Sequence, residues 1–380
     1  MRIVMFCHSL VSDWNHGNAH FLRGIATELQ SRGHSVRILE PANGWSREHL
    51  LAEQGMPAIN RFHQEYPNLR SRRYHLDNLD LDRELEGADL VLVHEWNDHA
   101  LVEAIGRHRA LVGGYQLLFH DTHHRSVTAP ETMAAYQLQH YDGVLAFGEV
   151  VRQRYIEEGW AEQVWTWHEA ADVRRFRPHR DRPMAGDLVW IGNWGDEERS
   201  AEVEEFLIQP VEELGLSARV HGVRYPEHAL RRLADARIVY GGWLPNFDVP
   251  EVFAGFRVTP HIPRRPYVQA LPGIPTIRVF EALACGIPLI SAPWDDAERL
   301  FSPGDDYLIA RDGQEMREHL RAVLSDPSAA DVMARRGVQT IAARHTCAHR
   351  VTELLRIVGE LAGASPEFPV GDDERVREAS

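Results

Sequence analysis

The sequence predicts an α/β protein built from two doubly wound domains that face each other across a cleft. Three observations carry this. The chain has 380 residues, too many for one ordinary α/β domain and enough for two. Both halves repeat one order of apolar strand, short polar turn and one-faced helix, which is the grammar of a parallel sheet. Between the halves, residues 168–178 read as a crossing segment.

The N-terminal domain is expected over 1–167. Arg2 to Cys7 reads as a buried strand. Phe21, Leu22, Ile25, Ala26 and Leu29 then share one helical face, Gly33 stops that helix, and Ser35 to Leu39 is the next strand. Residues 43–76, rich in His, Arg, Asn and Pro, read as an elaborated loop with short helices. Strands follow at Ala88 to His94, Gln116 to Phe119 and Gly143 to Phe147, with helices at Ala100 to Ile105, Thr132 to Gln139 and Val150 to Glu158. The second domain is expected over 179–345. It opens on a strand at Leu188 to Ile191, followed by a helix at Ala201 to Leu214 and a strand at Ala218 to His221. A helix at Ile277 to Cys285 and a strand at Pro288 to Ala292 continue it. Residues 346–363 are expected to form a helix packed back on the N-terminal domain. The polar tail 364–380 is expected to be disordered.

Composition excludes several classes. Hydrophobic residues make up 44% and charged residues 26%, so each half can bury a core. A net charge of -15 makes nucleic acid a poor default partner, although local basic patches remain. Cys7, Cys285 and Cys347 have no metal or redox spacing. The apolar start stops at His8, too short for a signal peptide, and no later stretch approaches a membrane span. A cytoplasmic protein is expected. The turn after the first strand, with Gly17 and Asn18, lacks the Gly-x-Gly-x-x-Gly spacing of a dinucleotide enzyme.

The sharpest segment runs from Pro272 to Ser291. Its helix is apolar nearly all round and therefore buried, so Glu281 needs partners. Two vicinal sugar hydroxyls would satisfy it, and so would Arg278 on the preceding turn. The loop ahead, Gly273-Ile274-Pro275-Thr276, offers backbone N–H groups at a helix N-terminus, a natural diphosphate site. This segment is similar to the donor-binding helix of GT-B glycosyltransferases. It resembles family-4-type enzymes, the glycosyl transferases group 1, and most closely their spore-maturation-protein-like branch. The likeness runs on through Pro293-Trp294, Glu298 and Gly304 to Asp312. The resemblance implies that Glu281 holds the ribose hydroxyls of a nucleotide. It departs from the common pattern at Gly273, where those enzymes carry a second Glu; backbone amides near Gly273 are expected to substitute.

Other positions follow from the same resemblance. Asp172, Phe176 and Pro178 keep the spacing of the interdomain segment. Asn193 and Arg199 follow the first strand of the second half, where a cation reaches the donor diphosphate; the alternative is that Arg199 pairs with its acidic neighbours. The resemblance implies that Gly17 and Asn18 lie close to the donor phosphates or the acceptor, a plain strand-to-helix turn being the other reading; Trp243 follows a strand near the expected base pocket, with a core residue as the alternative. The resemblance implies that His120 touches the transferred sugar; Asp121 beside it is expected to orient its ring, and Glu95, Trp96 and His123, at the same sheet edge, are expected on the acceptor side. A structural or solvated cluster is the other reading of these histidines.

Asp80-Leu81-Asp82 matches a metal motif of other transferases but reads as a helix start, so no metal is expected. The pairs and triplets Arg70, Arg72, Arg73 and Arg264, Arg265 suit an anionic acceptor or plain solvated surface. The resemblance implies a retaining, metal-independent transferase without a cofactor. It would move a hexose from a UDP- or GDP-type nucleotide sugar to an acceptor hydroxyl. The acceptor (glycan, lipid-linked glycan, small molecule, protein or modified nucleic acid) stays open, as does the oligomeric state. A nucleotide-sugar epimerase of the same architecture and a non-catalytic sugar-nucleotide-binding scaffold are the alternatives.

Overall fold

A computed structural model describes residues 1–179, 182–195 and 197–363; the tail at 364–380 lies outside the described residues. The first seven strands form one parallel sheet: β1 (Arg2–Phe6), β2 (Ser35–Pro41), β3 (Ser71–Tyr74), β4 (Leu90–His94), β5 (Gln116–Asp121), β6 (Gly143–Ala146) and β7 (Val164–Thr166). Their order is β3-β2-β1-β4-β5-β6-β7. The reversal between β1 and β4 is the switch point of a doubly wound sheet. β4, Leu-Val-Leu-Val-His, is buried at every position, as a central parallel strand covered on both faces must be.

The second sheet holds β8 (Gly186–Ile191), β9 (Ala218–His221), β10 (Val239–Tyr240), β11 (Phe256–His261), β12 (Leu289–Ser291) and β13 (Leu308–Ile309). Its order is β10-β9-β8-β11-β12-β13, again all parallel and again reversing beside its first strand. Ligands in such sheets bind beyond the C-terminal strand ends, and here both sets of ends open on one cleft.

Two segments differ from the sequence reading. Residues 43–76 hold a helix, Trp45–Glu65, and the edge strand β3. Gly55, at φ 69°, and Pro57 kink that helix, which breaks the periodicity a reader would look for. β11 carries Pro260, a residue that argues against an interior strand. It is tolerated because β11 pairs with β8 only at Phe256 and Val258 and with β12 beyond that.

The helix Cys347–Leu361 begins with a capping box between Thr346 and His349. It crosses back to the first domain, where Trp167 Nε1 donates to Arg350 O at 2.8 Å and Gln116 Nε2 to Val358 O at 2.8 Å. Gly24, on the helix Ala19–Ser31, makes room for it: a Cβ there would stand 2.4 Å from Cys347 Sγ. One apolar cluster thus joins Ile25 and Leu29, Trp167 and Phe176, and Phe280 and Leu283.

Candidate functional site

The cleft encloses about 1120 Å³. Its second-domain wall is built by the loop after β8, the loop after β11 and the start of the helix Ile277–Cys285. The chain contains no lysine, so every permanent side-chain cation here is an arginine. Arg199 is buried. Its Nη1 donates to Ile262 O at 2.8 Å, its Nη2 donates to Asn193 O, and its guanidinium lies over Trp190 at 5.1 Å. Nε has no partner among the described residues, and no carboxylate among them forms an ion pair with this charge, although the nearby Glu198 acts on it. Burial and the Arg264 charge lower its pKa to about 10, which leaves it a cation at neutral pH. Arg264 reaches the cleft from the β11 loop, and its guanidinium pairs with Glu198 at 3.2 Å.

Thr276 is the N-cap of the helix Ile277–Cys285, and no side chain caps that helix. Its hydroxyl lies 3.1 Å from His261 Nε2, while His261 Nδ1 meets Ser291 Oγ at 2.9 Å. Pro275, Thr276, Ile277 and Arg278 therefore present a helix start to the cleft beside two arginines, the arrangement that attracts an anion. Gly17 packs against this start; a Cβ there would lie 3.3 Å from Ile277 Cγ2. Asn18 and Asn193 line the cleft as well. Asn193 spans the domains, with Nδ2 donating to Asn15 Oδ1 at 2.5 Å and Oδ1 accepting from Val223 N at 2.9 Å. Trp243 lines a small adjoining pocket of about 70 Å³ with His221 and Arg278. Its Nε1 donates to Asp13 Oδ1 at 3.0 Å.

Several expected residues lie elsewhere. Glu281 does not face the cleft. It is fully buried, and its carboxylate accepts from Asn246 Nδ2 at 2.7 Å, from Arg278, and from His20 Nδ1 at 2.9 Å. Burial would raise its pKa, but Arg278 and His20 outweigh that and hold it low. The helix turns this residue toward the first domain, where His20, Arg278 and Asn246 satisfy it. Gly273 is likewise closed: its N–H donates to Asp295 O at 2.7 Å, and its missing side chain leaves room for Glu298. Ile274 packs on Gly148, where a Cβ would meet it at 2.4 Å. The amides expected to replace the missing Glu are therefore not offered to the cleft at Gly273.

His120 and Asp121 also stand behind the wall. They are neighbours on a strand, so their side chains point to opposite faces and Asp121 cannot orient the His120 ring. His120 Nδ1 meets His94 Nε2 at 3.1 Å, and burial pushes its pKa down to about 3. Asp121 accepts from Tyr155 Oη at 3.0 Å and from His123 N at 3.0 Å; burial raises its pKa to about 6. Glu95 is buried against Arg125, and burial with the nearby Asp121 raises it to about 8. Trp96 and His123 do line the cleft, their rings 4.8 Å apart.

The lining also holds residues the sequence reading left out or left on the surface: Arg125, His124, Glu169 and Arg264. Arg264 carried a signal as half of a basic pair. Glu169 carried none, since only the fold brings the crossing segment into the cleft. Its carboxyl is buried, with Oε1 unpartnered among the described residues, and burial pushes its pKa well up. No three His, Cys, Asp or Glu side chains among the described residues are arranged to hold a metal ion. No helix among them is long and apolar enough to cross a membrane.

Two doubly wound parallel sheets with their strand ends across a shared cleft define the GT-B fold, and solved structures bear this out. Sucrose-phosphate synthase from Thermosynechococcus elongatus superimposes with a TM-score of 0.66 at 14% identity, over 96% of this chain and 100% of that one. Anabaena HepE in complex with UDP and glucose gives 0.68 at 14% identity, over 94% and 99%. T4 phage BGT in complex with its UDP-glucose substrate gives 0.57 at 13% identity, over 95% and 99%. Residues 199–356 match the glycosyl transferase-like family, and the matched segment carries Arg199, Arg264 and the helix start. No curated protein matches the chain in sequence.

Proposed function

We propose that the protein is a glycosyltransferase that takes a hexose from a nucleotide-diphosphate sugar of UDP or GDP type and passes it to an acceptor hydroxyl. The observation that carries this is Arg199. It is a buried cation without a carboxylate partner among the described residues, set beside Arg264 and an uncapped helix start in the cleft of a GT-B fold. A diphosphate supplies the missing negative charge, and fixed donors around it stabilise the charge that develops as the nucleotide leaves. The small pocket lined by Trp243 and His221 takes the nucleoside end in this reading. The UDP and UDP-glucose in the HepE and BGT structures support the donor class.

Retention, metal independence and a cytoplasmic setting are part of the proposal. Inversion calls for a base at the acceptor hydroxyl. His120, Asp121 and Glu95 lie behind the cleft wall, and in this reading the departing phosphate takes the acceptor's proton. Arginines stand where a metal would otherwise neutralise the leaving group. Titration calorimetry with UDP, GDP and their hexose conjugates tests the reading. One nucleotide diphosphate should bind, and Arg199→Ala should weaken it; binding of none would overturn the donor reading.

A further inference from the structure

The cleft is electrically divided. Arg199, Arg264 and Arg278 lie on the second-domain wall. The opposite end is formed by the loops after β2, β3 and β4, and the lining there includes Asp77 and Asp98 but no arginine. Arg125, the lining arginine beside Trp96, is turned onto Glu95 and lies 4.3 Å over the Trp96 ring. His8 stays neutral, because burial lowers its pKa to about 4.

Two tryptophans open onto this end. Trp45 and Trp96 are 40% and 42% exposed, whereas Trp14, Trp167, Trp190, Trp194 and Trp294 are buried. His8 stands between them, its ring centroid 6.4 Å from Trp45 and 6.3 Å from Trp96. Each indole is braced from behind, Trp45 by Trp14 at 5.1 Å and Trp96 by Arg125 and His123. The rings form a fixed aromatic wall inside a concave site, and a rigid indole offers large contact area at little entropic cost.

The chemistry around the wall selects its occupant. An anionic acceptor meets Asp77 and Asp98, and Arg125, the lining arginine beside Trp96, is already engaged by Glu95. Asp98 caps the helix His99–Val112 by accepting from Ala100 N at 2.8 Å, and a purely apolar chain would strip water from the remaining carboxylate oxygens without replacing it. A pyranose satisfies both features, because its C–H face lies on an indole while its hydroxyls donate to carboxylate oxygens. We propose that the Trp45–His8–Trp96 wall, rimmed by Asp77 and Asp98, is a subsite for an uncharged saccharide. Its role as the acceptor subsite rests on the transferase reading above; recognition of the saccharide does not.

The test uses a glycan array printed with neutral and anionic saccharides, probed with the full chain in the presence of UDP and of GDP, beside filter binding of an oligonucleotide. Wild type should bind neutral glycans, and Trp45→Ala and Trp96→Ala should each lose at least tenfold in affinity for the best soluble hit. Their melting temperatures and nucleotide affinities should stay at the wild-type level, which separates lost contact from lost fold. Trp45→Phe and Trp96→Phe should recover part of the affinity. Binding confined to anionic glycans or to the oligonucleotide, no glycan binding at all, or neutral-glycan affinity unchanged in Trp45→Ala and Trp96→Ala would overturn the proposal. Neutral-glycan binding without affinity for any nucleotide would leave the saccharide site standing and remove the transferase reading instead.

Discussion

His20 of the first domain and Glu281 of the second meet at 2.9 Å, and neither is exposed to solvent. His20 Nε2 accepts the Asp172 N–H at 2.8 Å, so the ring carries its proton on Nδ1 and donates it to the carboxylate. The ring also stacks on Phe176 at 3.7 Å. First domain, crossing segment and second domain are fastened at one imidazole.

Glu281→Ala is therefore expected to cost stability, about 3–5 kcal/mol, since it leaves Arg278, His20 and Asn246 without their shared acceptor. Denaturant midpoints measure this, with nucleotide affinity measured in parallel. Unchanged stability with weakened nucleotide binding would mean that the carboxylate serves a ligand and that its pairing with His20 is a resting arrangement.

Arg199→Ala should lower affinity for the bound nucleotide diphosphate by roughly tenfold or more, the scale of one charge-assisted contact. Arg264→Ala should do less, because Glu198 already engages that guanidinium. Calorimetry on both variants checks the order; equal affinity in Arg199→Ala and wild type would take Arg199 out of the site.

Acid should weaken the fold early. Burial lowers His8, His124 and His221 to about 4, and His120, His261 and His345 to about 3. The folded state then binds fewer protons than the unfolded chain between about pH 6.5 and these lowered values. The stability these rings confer is complete above that pH and is lost as pH falls toward 3, at up to about 1.4 kcal/mol per pH unit for each ring. Glu95 works oppositely: raised to about 8, its contribution is complete below about 4.5 and lost as pH rises through 8. Urea midpoints from pH 8 to 5 should fall steeply below 6.5, and a flat profile would show that these rings titrate in the open.

Gly24→Ala should destabilise by about 1–3 kcal/mol, because the added methyl would meet Cys347 Sγ at 2.4 Å and Asp172 Cβ at 2.9 Å. Thermal melts of the variant check this. A wild-type midpoint would mean the helix Cys347–Leu361 shifts freely on the first domain.

What the sequence determined by itself was the architecture. Strand and helix periodicities are local, so the repeated order of strand, turn and helix, the missing dinucleotide glycines and the likeness around Pro272 to Ser291 led to a GT-B fold without coordinates. It failed locally where Gly55 and Pro57 interrupt a helix and where Pro260 sits in a strand, since such residues erase the signal a pattern depends on. The tertiary structure decided which polar residues meet the cleft. Strand alternation sends His120 and Asp121 to opposite sides. The rotation of one helix gives Glu281 to His20, and the return of the crossing segment brings Glu169 to the cleft. A sequence shows that a buried charge needs a partner; only the packing of two domains determines whether that partner is a ligand or the protein itself.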